Sequence, residues 1–152
     1  MKSLRLFTLM VVVLLLTPAA FAAEFGFRAG RLNDADEEFV GAEMVFDAGM
    51  ININPNIEYW LVDDVTAGTA NLDVTFEFGS STVKPYVGAG VGMFYVDDDF
   101  GSETETLGNL IGGVQFNLDF LKPYAQVKWS RSLEEDNGGD NDEVALTVGL
   151  RF

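Results

Sequence analysis

Four charged residues recur at a spacing of fifteen: Arg28, Glu43, Glu58 and Asp73. A single arginine beside three carboxylates can do two things. It can close an ion-pair network, or it can pair with one carboxylate and leave the others for acid–base work. The chain contains no histidine and no cysteine, which removes the commonest general base, the commonest metal ligand and any thiol chemistry. Paired structural carboxylates are commoner than catalytic ones, so the reading here is non-enzymatic and without a cofactor. A second set of carboxylates lies in short runs, Asp97-Asp98-Asp99 and Asp136, Asp140 and Asp142. Oxygen-rich runs of this kind can hold calcium or magnesium. They lack the D-x-D-x-D-G frame with a closing glutamate, so a solvated acidic rim is the expectation and no metal is assigned. With 24 acidic and 9 basic residues, the chain has no electrostatic footprint for nucleic acid.

Strands must position these charges. From Glu143 to Phe152 the sequence alternates strictly: Val144, Leu146, Val148, Leu150 and Phe152 on one face, Ala145, Thr147, Gly149 and Arg151 on the other. The same two-faced pattern marks seven earlier stretches. They lie at about Glu24–Leu32, Phe39–Ala48, Ile53–Val62, Thr69–Phe78, Pro85–Tyr95, Leu107–Leu118 and Tyr124–Ser132. Pro55 falls within the third, where a missing ladder donor predicts a bulge or a late strand start. Three short turns (Gly49–Asn52, Gly79–Lys84, Asp119–Pro123) alternate with four acidic loops (Asn33–Glu38, Asp63–Gly68, Asp97–Glu105, Leu133–Asp142). Eight strands of roughly ten residues match the length a tilted strand needs to cross a bilayer.

The N-terminus carries an export pattern. Lys2 and Arg5 precede an apolar run, Leu6 to Leu16, and Ala20-Phe21-Ala22 forms a small-x-small cleavage site. Residues 1–22 are therefore expected to be a cleaved signal peptide, and residues 23–152 one domain starting near Ala23. No other apolar run is long enough for a spanning helix, so membrane insertion would use strands. The expected fold is all-β: an eight-stranded antiparallel transmembrane barrel with large side chains toward lipid and polar ones within. The aromatics agree. Phe25, Phe27, Phe46, Phe76, Phe78 and Phe152 gather at the turn end, and Tyr59, Tyr95 and Trp129 at the loop end. A soluble periplasmic lipocalin-like barrel is the alternative, with the faces reversed.

Inside such a barrel, folding each hairpin at its loop sets 28 beside 43, 43 beside 58, and 58 beside 73. The same row continues through Gly90, Gly113, Lys128 and Thr147. Arg28, Glu43, Glu58, Asp73 and Lys128 then form a lumen ion-pair network. It serves as a plug, or as a gate whose pairs exchange to pass cations. A plug is favoured because interiors of small barrels are filled by side chains. Gly88, Gly90, Gly92 and Gly113 leave space on one wall for the long cations or for water. Lys84-Pro85-Tyr86 recurs as Lys122-Pro123-Tyr124, read as shared hairpin chemistry. Arg31 and Arg131 fall on the outward parity near the loops, placed to meet lipopolysaccharide phosphates.

The stretch Pro85-Tyr86-Val87-Gly88-Ala89-Gly90-Val91-Gly92, the alternation Ala125-Gln126-Val127-Lys128-Trp129 and the terminal Phe152 resemble the small eight-stranded outer-membrane barrels of the OmpA and OmpX type. The resemblance covers the mature chain. It implies residence in the outer membrane of a Gram-negative envelope as a monomer, in contact with lipid and lipopolysaccharide. It implies recognition of Phe152 by the barrel-assembly machinery. Members include anchors, adhesins, narrow pores and lipid A-modifying enzymes that depend on histidine. The absence of histidine removes the last, leaving a structural or surface-presenting role, with a narrow pore and a surface adhesin as alternatives.

Overall fold

The computed structural model of the chain describes residues 22–79, 82–134 and 142–152. Residues 1–21 of the expected signal peptide, and Asp136 and Asp140, lie outside the described residues. Eight strands follow in order: β1 (Ala22–Leu32), β2 (Glu37–Asp47), β3 (Ile51–Trp60), β4 (Thr66–Glu77), β5 (Val83–Asp98), β6 (Gly101–Phe116), β7 (Lys122–Ser132) and β8 (Asp142–Arg151). Each pairs antiparallel with its chain neighbour, and β8 closes on β1. Closure leaves no edge strand, the condition for placing strands in hydrocarbon.

Alternation decides which face looks inward. Eighteen polar or charged residues are buried among the described residues, against eight apolar or tyrosine ones. Phe27, Val40, Ile57, Val91, Leu110 and Val148 all stand exposed on the outer wall. This inversion rules out the lipocalin-like alternative, whose apolar face would line the interior. Aromatic side chains stand on the outer wall toward both ends, with Tyr59 and Tyr95 exposed toward the loops. Phe27 packs on Phe152 at 5.9 Å and Phe76 on Phe78 at 5.1 Å at the turn end.

Register differs from the fifteen-residue row, although parity holds throughout. Arg28 stands opposite Gly41, not Glu43. Glu43 stands opposite Asn56, and Glu58 lies between Gly41 and Thr69. Lys128 faces Ala145 where Thr147 was expected. Each slip is an even number of residues. An odd slip would have sent a charge into lipid, whereas an even one only moves it along the axis. Turn lengths set the offset: only four residues, 33–36, connect β1 to β2, closing on Asp36 with φ of +56°.

Two further expectations change. Pro55 produces neither a bulge nor a late start. Strand β3 begins at Ile51, and the β2–β3 register is the same on both sides of the proline. The Asn54 side-chain amide donates to the Met44 carbonyl at 2.9 Å, serving the acceptor that faces the proline. The third acidic loop is mostly strand. β5 and β6 are sixteen residues each, pairing as far as Asp98 with Gly101. Asp97 and Asp98 therefore point to opposite faces of a ribbon, and no group of acids converges as a metal site among the described residues.

Candidate functional site: the charged lumen

The lumen is a continuous polar network with two parts. The first is a chain of alternating charges. Lys128 Nζ lies 2.7 and 2.8 Å from the two oxygens of Glu58. Arg28 lies 3.3 Å from Glu58 and 3.7 Å from Glu43. Arg151 Nε then donates to Glu43 at 3.0 Å. Three cations thus alternate with two carboxylates, and Asp73 supplies a third acid in the same interior. Equal numbers of each sign make this core neutral, which is what a narrow, poorly hydrated interior requires.

Arg151 is the member the sequence reading left out. Its parity was evident, but its partners come from far along the chain. Its guanidinium lies over the Tyr124 ring at 4.1 Å and the Tyr86 ring at 5.9 Å, and Nη1 donates to Gln115 at 2.7 Å. These tyrosines are the last residues of the two Lys-Pro-Tyr repeats. The repeat is therefore a device that places two aromatic faces around one arginine. The lysines of the same tripeptides pair at the turn end, Lys84 with Glu77 and Lys122 with Glu24.

The second part is an amide ladder. Asn54 donates to Glu43 at 2.8 Å, and Asn56 donates to Asn54 and to Asp73 at 3.0 and 2.9 Å. Asn71 donates to Asn56, and Asn109 donates to Asn71 and Asp73. Ser130 completes it, donating to Asn109 at 2.9 Å. Asp73 belongs to this ladder: it is 1% exposed and its hydrogen-bond donors are amides rather than a cation. Asparagine at alternate positions 52, 54 and 56 was the available signal, because buried amides must be paired.

The lumen glycines serve close approach, but not to the long cations alone. A Cβ at Gly90 would overlap Asp73, and one at Gly92 would overlap Asn71. Gly113 and Gly149 make way for the rings of Tyr86 and Tyr124, and Gly41 for the Arg28 stem. Gly88 faces Thr75. The expected free space on that wall is therefore filled.

Apolar groups lie on the loop side of the network. Leu32, Phe39 and Ala145 form a buried cluster with Trp60 packed against it. Phe39, 1% exposed, faces lumen Gly30. Outside, Arg31 pairs with Asp36, and Arg131 lies 3.6 Å from Asp142. Phe152 is half-exposed, with its backbone paired to Phe25.

No protein-family model and no curated protein matches the chain. Solved structures do. The N-terminal β-barrel domain of Pseudomonas aeruginosa OprF superposes with a TM-score of 0.69 at 17% identity, covering 86% of this chain and 96% of that one. Neisserial surface protein A gives 0.64 at 13% identity, over 85% and 94%. The outer-membrane enzyme PagL gives 0.60 at 11% identity, over 85% and 98%. At these identities the likeness concerns the fold. The fold of this chain is that of the small eight-stranded outer-membrane barrels, and its apolar exterior suits the same solvent.

Proposed function

We propose that this protein is a non-enzymatic outer-membrane barrel with a closed lumen, working as a structural or surface-presenting element of the envelope. The observation that carries the reading is the stacking of two seals. The network of Arg28, Glu43, Glu58, Lys128 and Arg151, balanced in charge by Asp73, lies beneath the apolar cluster of Leu32, Phe39 and Ala145. Both carboxylates of the chain of charges are held by cations, and the sequence has no histidine, so no free acid–base pair is on offer there. The partners proposed are lipid and lipopolysaccharide around a monomeric barrel, with Arg31 and Arg131 as phosphate contacts. Phe152 is the proposed assembly signal. Asp36 and Asp142 share these arginines, so a phosphate would compete with or join those pairs.

One observation favours a second reading, the narrow cation-preferring pore. Arg28 Nε, Nη1 and Nη2 all lack a hydrogen-bond partner, although two carboxylates are within reach. A guanidinium held by charge but not by hydrogen bonds can exchange partners. Conductance of the refolded protein in a planar bilayer, beside Arg28→Ala and Lys128→Ala, tests the choice. The closed reading expects a silent bilayer for the parent. Discrete cation-selective steps altered by either substitution would replace it with the pore.

A further inference from the structure

One space in the lumen is not filled. Above the Lys128–Glu58 pair a cavity of about 220 Å³ opens toward the loop side. Its walls are Trp60, Phe94 and Leu107, and its polar lining includes Glu58, Thr69 and Glu105. The Trp60 and Phe94 rings lie 4.8 Å apart and are tilted by 38°. Glu105 stands beside Phe94 in the β5–β6 register, on the inward face.

The unmet valences of this cavity define a ligand. Lys128 is engaged by both oxygens of Glu58, so the floor offers no free cation for an anion. Glu143, also on the wall, is committed to the N–H groups of Asp34 and Ala35. The half-buried Glu105 carboxylate has no hydrogen bond or ion pair among the described residues. The Trp60 Nε1–H is shut off from water and does not open into the cavity, so the ring and not its donor lines it. An uncommitted carboxylate beside two aromatic rings attracts an ammonium group. At about 30 Å³ per water the space equals roughly seven waters, the size of a small amine and not of a peptide or a sugar chain.

We propose that this cavity binds a small organic ammonium ion. Glu105 and the Trp60–Phe94 pair hold its charge. The acidic rim at Asp97, Asp98 and Glu103 concentrates such cations at the mouth. Leu32 and Ala145 of the apolar cluster also line the cavity, so the site lies between the Lys128–Glu58 pair and the loops.

The sequence has two tryptophans, so a Trp129→Phe protein leaves Trp60 as the only fluorophore of that kind. The refolded protein is titrated with choline at constant ionic strength, beside sodium chloride and the uncharged carbon isostere of choline. The expected result is a saturable change in Trp60 emission for choline alone, weakened roughly tenfold by Glu105→Gln, the loss of one charge contact. Phe94→Leu weakens it as well. A response that does not saturate, that sodium or the uncharged isostere reproduces, or that Glu105→Gln leaves unchanged overturns the proposal. Heat-modifiable gel mobility confirms that each variant is folded. If a variant fails to fold, the three-probe comparison in the parent background decides alone.

Discussion

Two walls of one lumen solve the same problem differently. Along β7, β8, β1, β2 and the end of β3 the interior is lined by opposite charges, Lys128, Glu58, Arg28, Glu43 and Arg151 in succession. Along the rest of β3, β4 and β6 it is lined by amides, with Asp73 held by Asn56 and Asn109. Glu43 joins the walls, accepting hydrogen bonds from Arg151 and Asn54 and pairing by charge with Arg28. The difference is one of tolerance. A broken ion pair leaves a bare charge in a dry interior, whereas a broken amide contact leaves a neutral group unpaired.

The comparison ranks the substitutions. Glu43→Ala leaves Arg151 with no carboxylate and Arg28 with Glu58 alone, and is expected to cost about 3–5 kcal/mol in urea unfolding measured in bilayers. Arg28→Ala is expected to cost less, about 3 kcal/mol, because Lys128 still holds Glu58 and Arg151 still holds Glu43. Asp73→Asn, on the amide wall, keeps the shape and replaces an acceptor with a donor, for about 1–2 kcal/mol. Lys84→Ala removes a partly exposed pair with Glu77 at the turn end and is expected to cost under about 1 kcal/mol. A larger loss for Asp73→Asn than for Glu43→Ala would invert the comparison.

Much of this was legible in the sequence, for a reason the strands make plain. Period-two alternation is a local property, so the faces of Glu143–Phe152 could be read without any partner strand. Register is not local. The pairing of Arg28 with Gly41 depends on a four-residue turn whose closing residue adopts positive φ, and a two-residue slip costs nothing in parity. For the same reason Arg28, Glu43, Glu58 and Lys128 could be grouped, while their order could not. Arg151 escaped because its acid partner is 108 residues away across the β1–β8 closure. Phe39 escaped because one aromatic on an inward position reads as noise until Gly30 appears opposite it. The long β5–β6 hairpin escaped because a run of acids reads as loop, although alternating exposed residues also suit a ribbon standing above the membrane.

The charges are proposed to hold a dry lumen together, and a double-mutant cycle on the Lys128–Glu58 pair decides whether they do. Lys128→Met and Glu58→Leu, alone and combined, would be unfolded with urea in bilayers. Each single variant should lose about 3 kcal/mol or more, and the double should recover most of that loss, because two apolar groups replace a pair whose burial is costly. Losses that simply add, or singles that cost almost nothing, would mean that water already screens the pair and that the lumen is open.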